Sequence, residues 1–120
     1  PVVAMYNDEN ATELVPLLEE CGVNAMYPFE AKAGNDLFAI RRRHPAFLLF
    51  GWLEKEVVNE GNGHRIDDEI RGKARLLESG RYFPNLEHGM QPMATFANLC
   101  RFMTVLHEVT GNPEGEFPRA

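Results

Sequence analysis

The chain has 120 residues, 44% of them hydrophobic and 25% charged, with 18 acidic against 12 basic side chains and a formal charge of −6. That length holds one ordinary domain and not two, and the negative balance opposes a polyanion, so nucleic-acid binding is not expected. No apolar stretch approaches the roughly 18 residues that span a bilayer, and no signal peptide opens the chain, so a soluble cytoplasmic protein is expected.

"PVVAMYN" is a short apolar run bounded by polar residues and reads as a strand. In "ENATELVPLLEECG", Leu14, Leu17, Leu18 and Cys21 recur at helical spacing and Gly22 supplies the stop, while Pro16 demands a late start or a kink. "VNAMYPFE" reads as a second strand. "GNDLFAIRRRHP" follows as a short helix capped near Asn35 or Asp36 and closed by Pro45, with Arg41, Arg42 and Arg43 expected as a solvated helix end.

"AFLLFGW" has no polar residue and reads as a strand buried on both faces. "LEKEVVNEGNG" is a helical turn and a glycine-rich loop. "HRIDDEIRGKARLLESG" is a helix with Ile66, Ile70, Ala74 and Leu77 on one face and Gly80 at its end. "RYFPNL" is a fourth strand, weakened by Pro84, and "MATFANLCRFMTVLHEVTG" is the last helix, with Phe96, Leu99, Cys100, Met103 and Leu106 inward and Gly111 as its stop. A polar tail covers residues 112–120. Cys21 and Cys100 fall on apolar faces and read as buried free thiols rather than a disulfide.

Strand and helix alternate four times, which predicts an α/β domain over residues 1–111: four βα units forming a parallel sheet with right-handed crossovers. A faint repeat relates "LLEECGVNAMYPFE" to "LLESGRYFPNLEH". Glu30 and His88 each follow their glycine, Gly22 or Gly80, at the same offset. They are therefore expected at one level, on the carboxyl edge of the sheet where parallel α/β folds place ligands.

A carboxylate and an imidazole converging in a partly dry cleft can share a proton, for acid–base catalysis or for holding a polar ligand. Other strand ends carry Asn7 and Asp8, and Glu54 and Lys55, the last suited either to orienting an anionic substrate or to a surface ion pair. His44, His64 and His107 read as structural or solvated. No His-x-Cys, Cys-x-x-Cys or His-x-x-x-His occurs, so no metal site is legible in local spacing, and no glycine fingerprint for phosphate appears.

Three segments, "YPFEAKAG", "GWLEK" and "LEHGMQP", carry a resemblance that runs from about Ala4 to Val109. Over this span the chain resembles the C-terminal half of the uroporphyrinogen decarboxylase family, in particular its branch related to corrinoid-dependent methyltransferases. The resemblance implies strands five to eight of a (β/α)8 TIM barrel, with the cleft at the carboxyl ends of the strands. It implies that Glu30 is the acidic residue closing the sixth strand, Lys55 the basic residue after the seventh, His88 the histidine closing the eighth, and Asp8 an acidic residue after the fifth. His88 and Glu30 are then the catalytic candidates, and Lys55, Asp8 and Glu54 the substrate-binding ones.

"YNDEN" lacks the His-x-Cys of the zinc-using methyltransferases, so thiolate zinc chemistry is not implied. No cofactor is identifiable from the residues; the resemblance implies a tetrapyrrole ligand or a corrinoid-protein partner. Only half of the roughly 250 residues of a full barrel are present. Four such units leave one sheet face and two edges open, so either a homodimer or a missing N-terminal half is expected to cover them. Two functions follow: the distal half of a decarboxylase or methyltransferase, or a self-associating half-barrel without activity.

Overall fold

The structure, a computed structural model, describes residues 1–112, so the expected tail lies outside the described residues from 113 onward. Four parallel strands, β1 (Ala4–Tyr6), β2 (Ala25–Phe29), β3 (Leu48–Leu53) and β4 (Tyr82–Leu86), lie in the spatial order of the sequence. Helices α1 (Leu14–Glu20), α2 (Leu37–Arg43), α3 (Glu56–Asn59) and α4 (Gly63–Ala74) connect them, and α5 (Phe96–Thr110) follows β4. Sequential order has a geometric consequence. Crossovers of one hand that never reverse direction put every helix on the same face, as in half of a (β/α)8 barrel; a doubly wound sheet reverses once and is covered on both.

The register shows this directly. Met5, Met26, Leu49 and Tyr82 are paired across the four strands, and the last three are buried beneath Val15 and Leu18 of α1 and Leu37 and Ile40 of α2. One residue further on, Tyr6 pairs with Tyr27 and Phe50 with Phe83. These rings form a row on the helix-free face, with Phe50 and Phe83 stacked at 4.5 Å and Tyr6 and Tyr27 tilted against each other, centroids 5.9 Å apart. Tyr6 is 58% and Phe83 49% exposed. β3 is accordingly buried on one face and only half-buried at Leu48 and Phe50, which corrects the expectation of burial on both.

Both strand prolines sit where a missing N–H does least harm. Arg81 O and Glu87 N face β3, so by alternation the nitrogen of Pro84 points to the open edge. Pro28, reached through a cis peptide bond, coincides with the register shift between β2 and β3. Opposite it Gly51 has φ +96°, and a Cβ there would lie 3.3 Å from Pro28 Cα. The irregularity continues into Trp52, φ 69°. It turns the indole to the helix side, edge-on to Phe38 and under the Lys73 ammonium.

α1 starts at Leu14, which places Pro16 in the first turn, where its N–H would have no intrahelical acceptor. Its buried positions are Val15 and Leu18, with Ala11 buried just before it, while Leu17 and Cys21 are exposed. Of the predicted face Leu18 is buried and Leu14 packs half-buried on the core, but Leu17 and Cys21 turn outward and Val15 takes the inward place, because two apolar stripes compete on one short helix. The same correction applies to α5. Phe102 and Val105 are buried against Ile66 and Ile70 of α4, Cys100 is half-buried, and Phe96 is 57% exposed. The ion pairs Arg101–Asp67 and Arg71–Glu108 also join α4 to α5 and hold that rotation. The predicted fourth helix is α only to Ala74 and continues as a 3-10 turn, Arg75–Ser79, with Leu76 buried in place of Leu77.

The arginine cluster divides. Arg42 and Arg43 are exposed, but Arg41 is only 7% exposed and is no solvated helix end. One terminal nitrogen donates to the carbonyls of His44, Pro45 and Phe47 at 3.2, 2.9 and 2.8 Å, and the other to Arg81 O at 2.8 Å. His44 pairs with Glu19 of α1 at 2.6 Å. Among the described residues no helix is long and apolar enough to cross a membrane.

Candidate functional site

The two glycines of the repeat each follow the end of a helix with a positive φ, +81° at Gly22 and +66° at Gly80, which a residue with a Cβ adopts only with strain. The chain then runs up β2 and β4 by matching lengths. Glu30 leaves β2 and His88 leaves β4 at the same carboxyl edge, and their side chains meet: Nε2–H of His88 donates to Oε1 of Glu30. A carboxylate in its ionised form only accepts, and in that form the imidazole N–H is the donor. The two side chains are 26% and 23% exposed.

Asp8, beyond the end of β1, completes the group. One atom each of Asp8, Glu30 and His88 lies within 4.8 Å of the others. Asp8 also accepts a hydrogen bond from the Tyr6 hydroxyl, which holds that phenol above its ordinary value. Three of the five expected site residues are thus brought together. Glu54 is drawn elsewhere: Lys32 reaches its carboxylate at 3.4 Å and that of Glu56 at 3.1 Å. Lys55 caps α3 and contributes a backbone N–H to Glu87.

Two buried polar residues that local patterns do not reveal fix these loops. Asn35 accepts from Ala11 N at 2.8 Å and donates to Glu30 O at 2.9 Å and Glu9 O at 3.3 Å, tying the loop that carries Asp8 to the end of β2. Its own carbonyl accepts from Trp52 Nε1 at 2.8 Å. Glu87, 2% exposed, accepts from Ala31 N at 2.6 Å and from the Lys55 N–H, so the residue next to His88 anchors the loops after β2 and β3. The only hint of Asn35 in the sequence is its place before a helix cap. For Glu87 the donors are too distant in sequence for any local signal.

Burial pushes the Glu87 carboxyl above its ordinary value of 4.5, against the two backbone N–H groups that favour the anion. The folded state therefore binds this proton more tightly than the unfolded chain. The associated stability is present below pH 4.5 and is lost as pH rises through the raised value. Glu87→Gln removes that titration. The melting temperature of the variant minus that of the parent should rise as pH increases from about 4 to about 7; a difference independent of pH would show that Glu87 is ionised without penalty.

Chemically, the group offers one imidazole and two carboxylates at the mouth of a parallel sheet, beside the exposed aromatic row. It can transfer a proton, accept hydrogen bonds from a ligand, or hold a cation. The chain matches no protein-family model and no curated protein.

Proposed function

We propose that this chain is the distal half of a barrel enzyme similar to the uroporphyrinogen decarboxylase family. It acts on a tetrapyrrole-type substrate, or on a methyl group carried by a corrinoid, with His88 and Glu30 as its acid–base pair. The observation that carries this reading is the convergence of Glu30 and His88 across two strands at the carboxyl edge, where barrel enzymes keep their chemistry. A decarboxylation needs a proton delivered to carbon as carbon dioxide leaves. The imidazole is suited to deliver it and the carboxylate to orient the ring and stabilise its charged form. The aromatic row of Tyr6, Tyr27, Phe50 and Phe83 supports a flat, largely apolar ligand.

The test is titration of the full chain with uroporphyrin and, separately, with aquocobalamin, read through the fluorescence of its one tryptophan, Trp52. Saturable binding of one of them, weakened at least about tenfold in His88→Ala, is expected. No binding of either, or binding indifferent to that substitution, would sink the reading.

A second reading rests on a different observation, the exposure of Tyr6 and Phe83 on a sheet face without helices. Here the chain is a self-associating half-barrel without catalysis, two copies covering each other's open faces. Sedimentation equilibrium decides it, since a stable monomer excludes this reading.

A further inference from the structure

We propose that Asp8, Glu30 and His88 form a binding site for one divalent first-row transition cation. The donors come from the ends of three different strands, β1, β2 and β4, and their ligating atoms lie within 4.8 Å of one another. Carboxylate and imidazole ligands sit about 2.0–2.2 Å from such a cation, so two ligands are at most about 4.4 Å apart across it and about 3 Å apart at right angles. From 4.8 Å, a pair lying opposite each other has to close by a few tenths of an ångström and a pair at right angles by up to about 2 Å, which side-chain rotation can supply. Asp8 closes on the cation, while Glu30 and His88 separate around it and release their shared proton to solvent.

Charge favours the same occupant. Among the described residues neither Asp8 nor Glu30 forms an ion pair with a lysine or arginine, and Glu30 meets only His88. Lys32, on the loop after β2, is spent on Glu54 and Glu56. Two carboxylates thus share one site whose only basic group is an imidazole, itself a metal ligand once it sheds its proton. The ligands are also held from behind: the Tyr6 hydroxyl bonds Asp8, the Asn35 amide bonds the Glu30 carbonyl, and Glu87, the residue before His88, is fixed by the Ala31 N–H. Outer contacts of this kind orient ligands in metal sites.

A donor set of two oxygens and one imidazole nitrogen, without sulfur, suits Mn2+, Fe2+, Co2+ or Zn2+ rather than a soft ion. Three protein ligands leave further positions for water or for a substrate oxygen, which the cation would polarise. The site shares His88 and Glu30 with the proposed acid–base pair but does not depend on that reading. A chain that binds metal and no tetrapyrrole, or tetrapyrrole and no metal, separates the two.

The experiment is calorimetric titration of the chelator-stripped full chain with Co2+ and Zn2+, with the visible absorption of bound Co2+ followed in parallel. One saturable site per chain is expected. Affinity should fall at least tenfold in each of Asp8→Asn, Glu30→Gln and His88→Ala, and about tenfold in Tyr6→Phe, while His64→Ala, an exposed histidine elsewhere, leaves it unchanged. Asp8 is exposed, so Asp8→Asn reports on the site even where His88→Ala disturbs the fold. Absence of saturable binding, or affinity unaltered in Asp8→Asn and Glu30→Gln, overturns the proposal.

Discussion

Arg41→Met is expected to destabilise the chain by about 3 kcal/mol, the range for removing one member of a buried charged network. The side chain is nearly fully buried and its guanidinium serves four carbonyls, those of His44, Pro45, Phe47 and Arg81. Methionine fills similar space but donates nothing, so the acceptors at the α2–β3 junction and the start of β4 lose their partner. Hydrogen bonds to charged groups each contribute about 1.5–3 kcal/mol, but relief of the guanidinium's desolvation offsets part of that. Burial and the nearby Arg81 both lower the Arg41 pKa, burial the more strongly, so the desolvation cost is real. Arg41→Lys keeps the charge with three donors in place of the planar fork and should lose roughly half as much. Arg42→Ala and Arg43→Ala, on exposed positions, should stay within about 0.5 kcal/mol. Urea unfolding of the four variants is the measurement; equal midpoints for Arg41→Met and Arg42→Ala would refute the buried network. These contacts sit at the amino-terminal edge of the sheet, opposite the candidate site, so ligand binding by the folded fraction should be unchanged.

Gly61→Ala is expected to cost a similar amount, about 3 kcal/mol at the upper end of overpacking, and to weaken binding at His88 as well. A Cβ at this position would lie 2.1 Å from Val57 O and 2.8 Å from Val57 C, so the last turn of α3 has to move. That turn is stitched to the rim. Asn98 of α5 donates to Val58 O at 3.0 Å and Gly61 O at 3.1 Å, and Asn59 accepts from Gln91 N at 3.0 Å. Displacing it pulls on the loop between β4 and α5, where His88 lies. The sign is informative because glycine-to-alanine substitutions without a steric conflict stabilise. Gly72 lies in the interior of α4, and a methyl added there would meet nothing within 4 Å. The same change at Gly72 should gain about 1 kcal/mol. Opposite shifts in melting temperature for Gly61→Ala and Gly72→Ala confirm the packing; a stabilised Gly61→Ala would show that α3 yields freely.

Much of the architecture is legible in the residues themselves. Alternating apolar runs and amphipathic segments specify the four βα units, and Gly22 and Gly80 mark helix stops that their positive φ angles explain. Equal offsets from those glycines suffice to align Glu30 with His88, because strand length converts sequence distance into height along a parallel sheet. Asp8 is visible as a strand-end acid, but not its convergence with the other two.

What tertiary structure alone decided is which of several chemically equivalent choices each side chain took. On α1 and α5 two apolar stripes compete, and the neighbouring sheet and α4 select Val15 over Leu17 and Phe102 over Phe96. Three adjacent arginines look alike as a string, yet only Arg41 points to the carbonyls gathered from the α2–β3 turn and Arg81. Asn35 and Glu87 read as surface polar residues until Ala11 and Ala31 are brought beside them. The physical reason is common to all of these. Apolar periodicity is a local property set by helix and strand geometry, so the sequence determined the elements and their order; burial and hydrogen bonding depend on partners tens of residues away, and only the folded chain supplies them.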